Sequence, residues 1–420
     1  MKQKMPEADT AFISRKESIK MFYRPSAQEL MNRIQSLQEK IREQQPSLDT
    51  VLIFGRISQY YLTGTYQDAI FVIRRDAEPI LFVRKSYTRA SLECPLNIVK
   101  QIRSFRDLLN YLPDDLGAVG MDTQQVIYAK IAGLQKYFSI SSVQSIDQLI
   151  LQVRSVKSES ELSIIKEAGK RQGDLMTQII PALLYEGMSE AQLMADIYTE
   201  MVRMGHHGVS RFSMHQVDFS VGQIGFGENT LYATFFDGPG GMRGLSPAVP
   251  VTGSQERRLQ KGDLVYADIA FGIDGYHTDK TQVYSFGSTP APVVQDVHTA
   301  CRLVLEQTAA LLKPGAVPSE IYQQVLDKLP AVLSDHFMGY YDDPVRFLGH
   351  GVGLNVDETP VIARGFSEPI EAGMVIAIEP KCGVTGHGMT GVEETYLILP
   401  DGVRCLTGGD CDIIVVSSQD

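Results

Sequence analysis

Two aspartates stand where a buried strand should be apolar. The stretch "LVYADIAFGIDGYHTDKTQVY", starting at Leu264, reads as two apolar runs folded back at "IDGY". Asp268 interrupts the first run and Asp279, eleven positions later, interrupts the second. An antiparallel hairpin of this length would bring both carboxylates to one face. Two like charges buried together titrate upward unless a cation neutralises them. Any fold built around this hairpin therefore has to supply a neutralising partner. Taken singly, either aspartate also reads as a wet residue at a turn or strand end.

The anomaly recurs downstream. Glu379 closes the apolar run in "GMVIAIEPKCG", and Glu393 stands just ahead of the strand pattern in "TGVEETYLIL". His350, one of eight histidines, lies between glycines in "FLGHGVGL", where the backbone is free to approach other strands closely. Alone, such a histidine is an ordinary core or surface group. With the four acids it completes an oxygen-rich set that suits two divalent ions ~3.5–4 Å apart. Two such ions clamp a hydroxide and polarise a carbonyl, which is metal-assisted hydrolysis. A mixed carboxylate and imidazole set accepts Mn²⁺, the first expectation, or Co²⁺, Zn²⁺ or Fe²⁺.

The rest of the chain has to carry this hairpin. Its 420 residues make two domains the natural expectation, and 44% hydrophobic residues can fill a sizeable core. The first domain, residues 1–152, mixes signals. "AQELMNRIQSLQEKIREQQ" places Leu30, Ile34, Leu37 and Ile41 at helical spacing, "DTVLIFG" and "AVGMD" read as strands, and "AIFVIRR" with "PILFVRK" as a hairpin. The second domain, residues 153–420, opens with two amphipathic helices. Ser158 with Glu161 forms a capping box, and Ser189 is expected to repeat the device. Residues 222–253, rich in glycine and proline, read as a long irregular loop. Strand patterns follow, with a helix in "VQDVHTACRLVLEQTAALL" between them.

Several function classes drop out. Five cysteines without a C-x-x-C pair read as buried free thiols, neither a disulfide framework nor a thiolate zinc site. A net charge of −11 without basic patches argues against nucleic acid. No apolar run reaches the ~18 residues that span a bilayer, and the first twenty residues lack a signal-peptide pattern. No membrane association and a cytoplasmic protein are therefore expected. No G-x-S-x-G elbow occurs, and "GPGGMRG" opens no convincing phosphate-binding helix.

With these motifs in order, the chain resembles the pita-bread metallopeptidase superfamily of methionine aminopeptidase, aminopeptidase P, prolidase and creatinase. "RSVKSESELSIIKEAG", "EGMSEAQL", "LQKGDLVYADIAFGIDGYHTDKTQ", "FLGHGVGL", "EAGMVIAIEP" and "GVEETYLILPDG" follow the family's sequence of motifs, and "YYLTG" lies in a segment similar to its creatinase-type N-terminal domain. The resemblance implies an α/β (α+β) protein: a creatinase-like N-terminal domain, then a catalytic domain whose antiparallel sheet curves around the metals. It implies that Asp268 chelates one ion and Asp279 bridges both, that His350 and Glu379 bind the other, and that Glu393 bridges. Glu379 would also shuttle a proton, and Thr281 would orient a ligand. A homodimer is implied as well.

The departures bear on catalysis. Where the family usually carries accessory histidines, this chain has Asp357 seven residues after His350, Arg346 four before it and, by ungapped counting, Val251. Those imidazoles would normally stabilise the developing oxyanion, a donor worth ~10²–10³ in turnover. His215, His277 and His387 are candidates to substitute, or local hydrogen-bonding residues. Asp357 could select a cationic substrate group or be a surface aspartate before Pro360. Arg346 and Arg243 are candidate contacts for a substrate carboxylate. The expected activity is an Xaa-Pro aminopeptidase or dipeptidase on small peptides. A creatinase-like amidinohydrolase, or a lyase acting on a non-peptide small molecule, is the alternative, and an inactive binding protein the third.

Overall fold

The computed structural model describes residues 23–214, 217–341 and 344–418. The first helix, Ala27–Gln44, starts at Ser26, whose hydroxyl accepts the Glu29 N–H at 3.1 Å. Its expected stripe of Leu30, Ile34, Leu37 and Ile41 is buried. Six strands follow: β1 (Thr50–Ile53), β2 (Ala69–Arg74), β3 (Ala77–Val83), β4 (Val99–Gln101), β5 (Asp115–Met121) and β6 (Ser139–Ser145). They form one sheet in the order β4-β3-β2-β1-β5-β6. The hairpin β2–β3 is antiparallel, as alternation and the tight turn require, whereas β1 pairs β5 in parallel. β1 sits at the centre with all four residues buried.

The second half opens on the helix Glu159–Asp174, whose capping box forms as expected: Ser158 Oγ accepts the Glu161 N–H at 3.2 Å, and Glu161 Oε2 accepts the Ser158 N–H at 2.8 Å. At the helix Glu190–Arg203 only half of the device is present. Ser189 accepts the Gln192 N–H, but the Gln192 amide donates forward to Asp196 at 2.8 Å.

The remaining strands are β7 (Ser210–Arg211), β8 (Asp218–Phe219), β9 (Gly222–Phe226), β10 (Leu264–Ile273), β11 (Tyr276–Phe286), β12 (Phe347–Gly351), β13 (Glu358–Ala363), β14 (Val375–Ile378), β15 (Lys381–Val384), β16 (Gly388–Gly391), β17 (Glu394–Leu399), β18 (Gly402–Cys405) and β19 (Ile414–Val416). Two sheets dominate, β19-β11-β10-β9 and β13-β12-β14-β17-β18. All their pairings are antiparallel except β11 with β19. They meet where Thr281 bridges Glu393, and β15–β16 adds a hairpin beneath the long helix Pro292–Leu311. This is the expected α/β class with a curved antiparallel sheet.

The glycine-rich region corrects one expectation. Residues 222–231 are the strand β9 and a 3₁₀ turn, and the irregular stretch begins only at residue 232. A Cβ on Gly222 would lie 2.0 Å from the Asp268 carbonyl oxygen. Here glycine marks a strand pressed against its neighbour, a meaning that composition alone does not separate from a loop.

One apolar cluster joins Ile34, Leu37 and Val51 to Tyr276, Val352, Val375 and Leu397, so the two halves share a core. Arg154 and Lys157 are both buried against Glu358 at the same junction. Among the described residues, no helix is long and apolar enough to cross a membrane.

Candidate metal centre

The hairpin register explains why the two aspartates meet. Asp268 lies opposite Thr281 and Ala270 opposite Asp279, so the carboxylates are diagonal neighbours on one face. Glu393 arrives from the other sheet, and its Oε2 accepts the Thr281 hydroxyl proton at 2.8 Å. His350 comes from β12, between β13 and β14. A Cβ on Gly349 would lie 2.1 Å from the Ala377 carbonyl oxygen, and one on Gly351 would lie 2.3 Å from that of Thr359. The flanking glycines therefore let β12 be squeezed between its neighbours. His350 Nδ1 lies 3.1 Å from the Gly351 carbonyl, and Nε2 faces Glu379 Oε1 at 3.2 Å and Glu393 Oε1 at 3.9 Å.

A sixth residue completes the cluster, and sequence reading passed over it. Lys381, wholly buried, donates from Nζ to Asp268 Oδ2 at 3.0 Å, Glu379 Oε2 at 2.8 Å and Glu393 Oε2 at 2.9 Å. The signal was present in "IEPKCG", where a lysine stands in an otherwise apolar, small-residue strand two positions after an acid.

The electrostatics register how crowded the acids are. Burial, then the Asp268 charge, raises the Asp279 carboxyl to about 8, and burial with Asp279 pushes Glu393 well up. Burial would raise Glu379 too, but Lys381 and His350 outweigh it and hold it at about 2. His350 is driven to about 10: burial opposes this, and Glu379, Asp279 and Glu393 overcome it. Negative charge thus exceeds what the chain's own cations comfortably balance.

Asp279, His350 and Glu393 each offer a ligand atom, all within 4.8 Å of one another. Glu393 Oε1 is buried and has no hydrogen-bond partner. An orphaned carboxylate oxygen facing an imidazole and a second acid fits a divalent cation.

Asp268, Asp279, Glu379 and His350 form the floor of a cavity of about 330 Å³, reached also by Gln124, Gln148 and Leu151 from the first half of the chain. Phe212, Phe219 and Phe236 make one apolar wall, with ring centroids 4.9–5.1 Å apart. Gln223, opposite Asp268 on β9, lines the cavity with both amide atoms buried and unpartnered. Asp357 lies on the rim, half-buried, where Ser213 donates its N–H to Oδ1 at 2.5 Å and its hydroxyl to Oδ2 at 2.6 Å. Burial raises its carboxyl, and Ser213 opposes the rise.

Other residues singled out in the sequence lie elsewhere. His387 occupies the β15–β16 turn, and Arg243 and Arg346 are exposed; none of the three lines the cavity, nor does Val251. Arg243 lies over the Tyr232 ring at 5.5 Å. His277 is sealed beneath His207, its Nδ1 3.1 Å from the Gly353 carbonyl. His215 falls outside the described residues. Phe236, Asp237 and Gly238 are what the irregular segment brings to the cavity, and the sequence carried no sign of them beyond glycine content.

Comparison with known proteins agrees with this geometry. Residues 163–400 match metallopeptidase family M24, and residues 33–156 match the creatinase/prolidase N-terminal domain. An uncharacterized peptidase of Staphylococcus aureus is 26% identical over 388 residues, covering 90% of this chain and 99% of its own. The Xaa-Pro dipeptidase of Pyrococcus furiosus is 24% identical over 372 residues, covering 88% and 96%. The prolidase of Pyrococcus horikoshii has the same fold, with a TM-score of 0.74 at 23% identity over 91% of this chain and all of its own. The chain therefore belongs to metallopeptidase family M24, in the two-domain form in which a creatinase/prolidase N-terminal domain precedes the pita-bread catalytic domain.

Proposed function

We propose that this protein is a metal-dependent hydrolase of small amides, of the Xaa-Pro dipeptidase or aminopeptidase type, with a substrate site altered at Asp357. The observation that carries the reading is the convergence of Asp279, His350 and Glu393, with its unpartnered Oε1, beside a cavity of dipeptide size that Asp279 and His350 line. A divalent cation there, manganese by expectation, supplies Lewis acidity when bound. Glu379, kept ionised by Lys381 and His350, takes the proton-shuttling role that the family resemblance implies. Gln223 offers an unpaired amide N–H₂ in the role usually filled by an imidazole toward the substrate carbonyl. Asp357, oriented by Ser213, faces a cationic amine. Action as a cytoplasmic homodimer belongs to the same proposal and rests on family resemblance alone.

One observation favours a second reading, a creatinase-like or lyase activity on a cationic non-peptide. Among the described residues, none lining the cavity is Arg or Lys to meet a peptide's terminal carboxylate, while Asp237 and Asp357 both line it. A panel of Xaa-Pro dipeptides and longer peptides, assayed with Mn²⁺ or Co²⁺ by release of free amino acid, separates the two. Cleavage of at least one dipeptide is expected; silence across the panel from protein that has bound metal transfers the assignment to the second reading.

A further inference from the structure

We infer that Lys381 fills one of the two cation positions of this centre with its own ammonium, so that the chain binds one divalent ion where the full carboxylate set would take two. An ammonium has three N–H donors. Lys381 spends them on three oxygens, one from each of Asp268, Glu379 and Glu393, at 2.8–3.0 Å. Asp268 Oδ2 also accepts the Tyr266 hydroxyl proton at 3.1 Å.

Lys381 is fully buried on a strand paired with β16, so its ammonium ends among these acids and not in water. What remains is a set for one ion. Glu393 Oε1 has no hydrogen-bond partner, Glu379 Oε1 faces His350, and Asp279, His350 and Glu393 meet without Asp268. The consequence reaches the substrate: one ammonium and one dication leave the four acids a net negative charge that two dications would cancel. A cationic substrate group would compensate it, in keeping with Asp357 on the rim.

The inference rests on the metal-centre reading above but is tested apart from activity. Metal-stripped protein is reloaded with excess Mn²⁺, freed of loose ion by gel filtration and assayed for manganese per chain. One ion is expected in the wild type and two in Lys381→Ala. The Mn²⁺ paramagnetic resonance should change from an isolated six-line spectrum to that of a coupled pair. Asp268→Asn, which disturbs a partner of the ammonium and not of the ion, should keep one. Two ions in the wild type, one ion in Lys381→Ala, or loss of the ion in Asp268→Asn each overturns the inference. Two ions with hydrolysis would remove it and leave the hydrolase standing. One ion without hydrolysis of any substrate would do the reverse, and no ion in either protein would remove both.

Discussion

Two buried lysines meet acids on opposite faces of the β10–β11 hairpin, Lys280 from β11 itself and Lys381 from β15. Lys280 follows Asp279 on β11, and Glu394 follows Glu393 at the start of β17. Alternation turns Asp279 and Glu393 toward the acid cluster beside the cavity and sends Lys280 and Glu394 the other way. There Lys280 Nζ bonds Glu394 Oε1, and the other Glu394 oxygen takes the Thr407 hydroxyl and, at 3.3 Å, the Cys405 thiol. That face holds one charge of each sign and is sealed, with side-chain exposure of 1% and 0%. On the cavity face Lys381 meets three carboxylates, with Asp279 beyond them. Both arrangements carry the desolvation cost of buried ions; only the one left out of balance has a use for a further cation.

The largest effect should come from breaking the balanced face. Lys280→Met strands Glu394 without a counter-charge and should cost about 3–5 kcal/mol of unfolding free energy, read from a urea titration. Lys381→Ala should also lose stability in chelator, but Mn²⁺ should restore it, and no metal should rescue Lys280→Met. Equal behaviour of the two variants would erase the distinction.

Histidines sharpen the same contrast through pH. His206 and His207 stack on each other at 5.1 Å, away from the acids, and burial lowers them to about 3 and about 4 from 6.5. The unfolded chain therefore takes up protons below pH 6.5 that the folded chain refuses, and stability falls as pH drops toward 4. The slope should be up to about 1.4 kcal/mol per pH unit for each residue. His350 among its carboxylates has the opposite sign: in metal-free protein its contribution is complete below 6.5 and is lost as pH rises through about 10. Urea titrations at pH 7 and pH 5 on wild type and on His206→Gln/His207→Gln test this. An unchanged difference between the two pH values would refute it.

The smallest effect is expected at the rim. Ser213→Ala removes one of the two bonds that Ser213 makes to Asp357 and should cost about 0.5–1.5 kcal/mol, without changing metal content. Loss of the ion in this variant would mean that Asp357 belongs to the metal set.

Much of this was legible because physical chemistry makes certain residues conspicuous. An aspartate in an apolar strand, a histidine between glycines, and a serine three residues ahead of a glutamate each break or satisfy a local rule. Asp268, Asp279, His350, Glu379, Glu393 and the Ser158 cap stood out in this way. The glycines of 222–226 did not declare themselves as a strand, because close backbone approach and loop freedom select the same residue. Gln192 failed to close its box because Asp196, one turn away, competes for its amide.

The amino-acid order by itself determined the strand alternation, and so which side chains each strand turns to one face, because side-chain direction reverses at every residue. Only the tertiary structure decided which groups from distant strands touch. Lys381, Gln223, Phe236 and Ser213 come to the acids through sheet curvature and loop path, which depend on packing summed over the whole chain. The reach of one lysine across that curvature sets the charge of the centre.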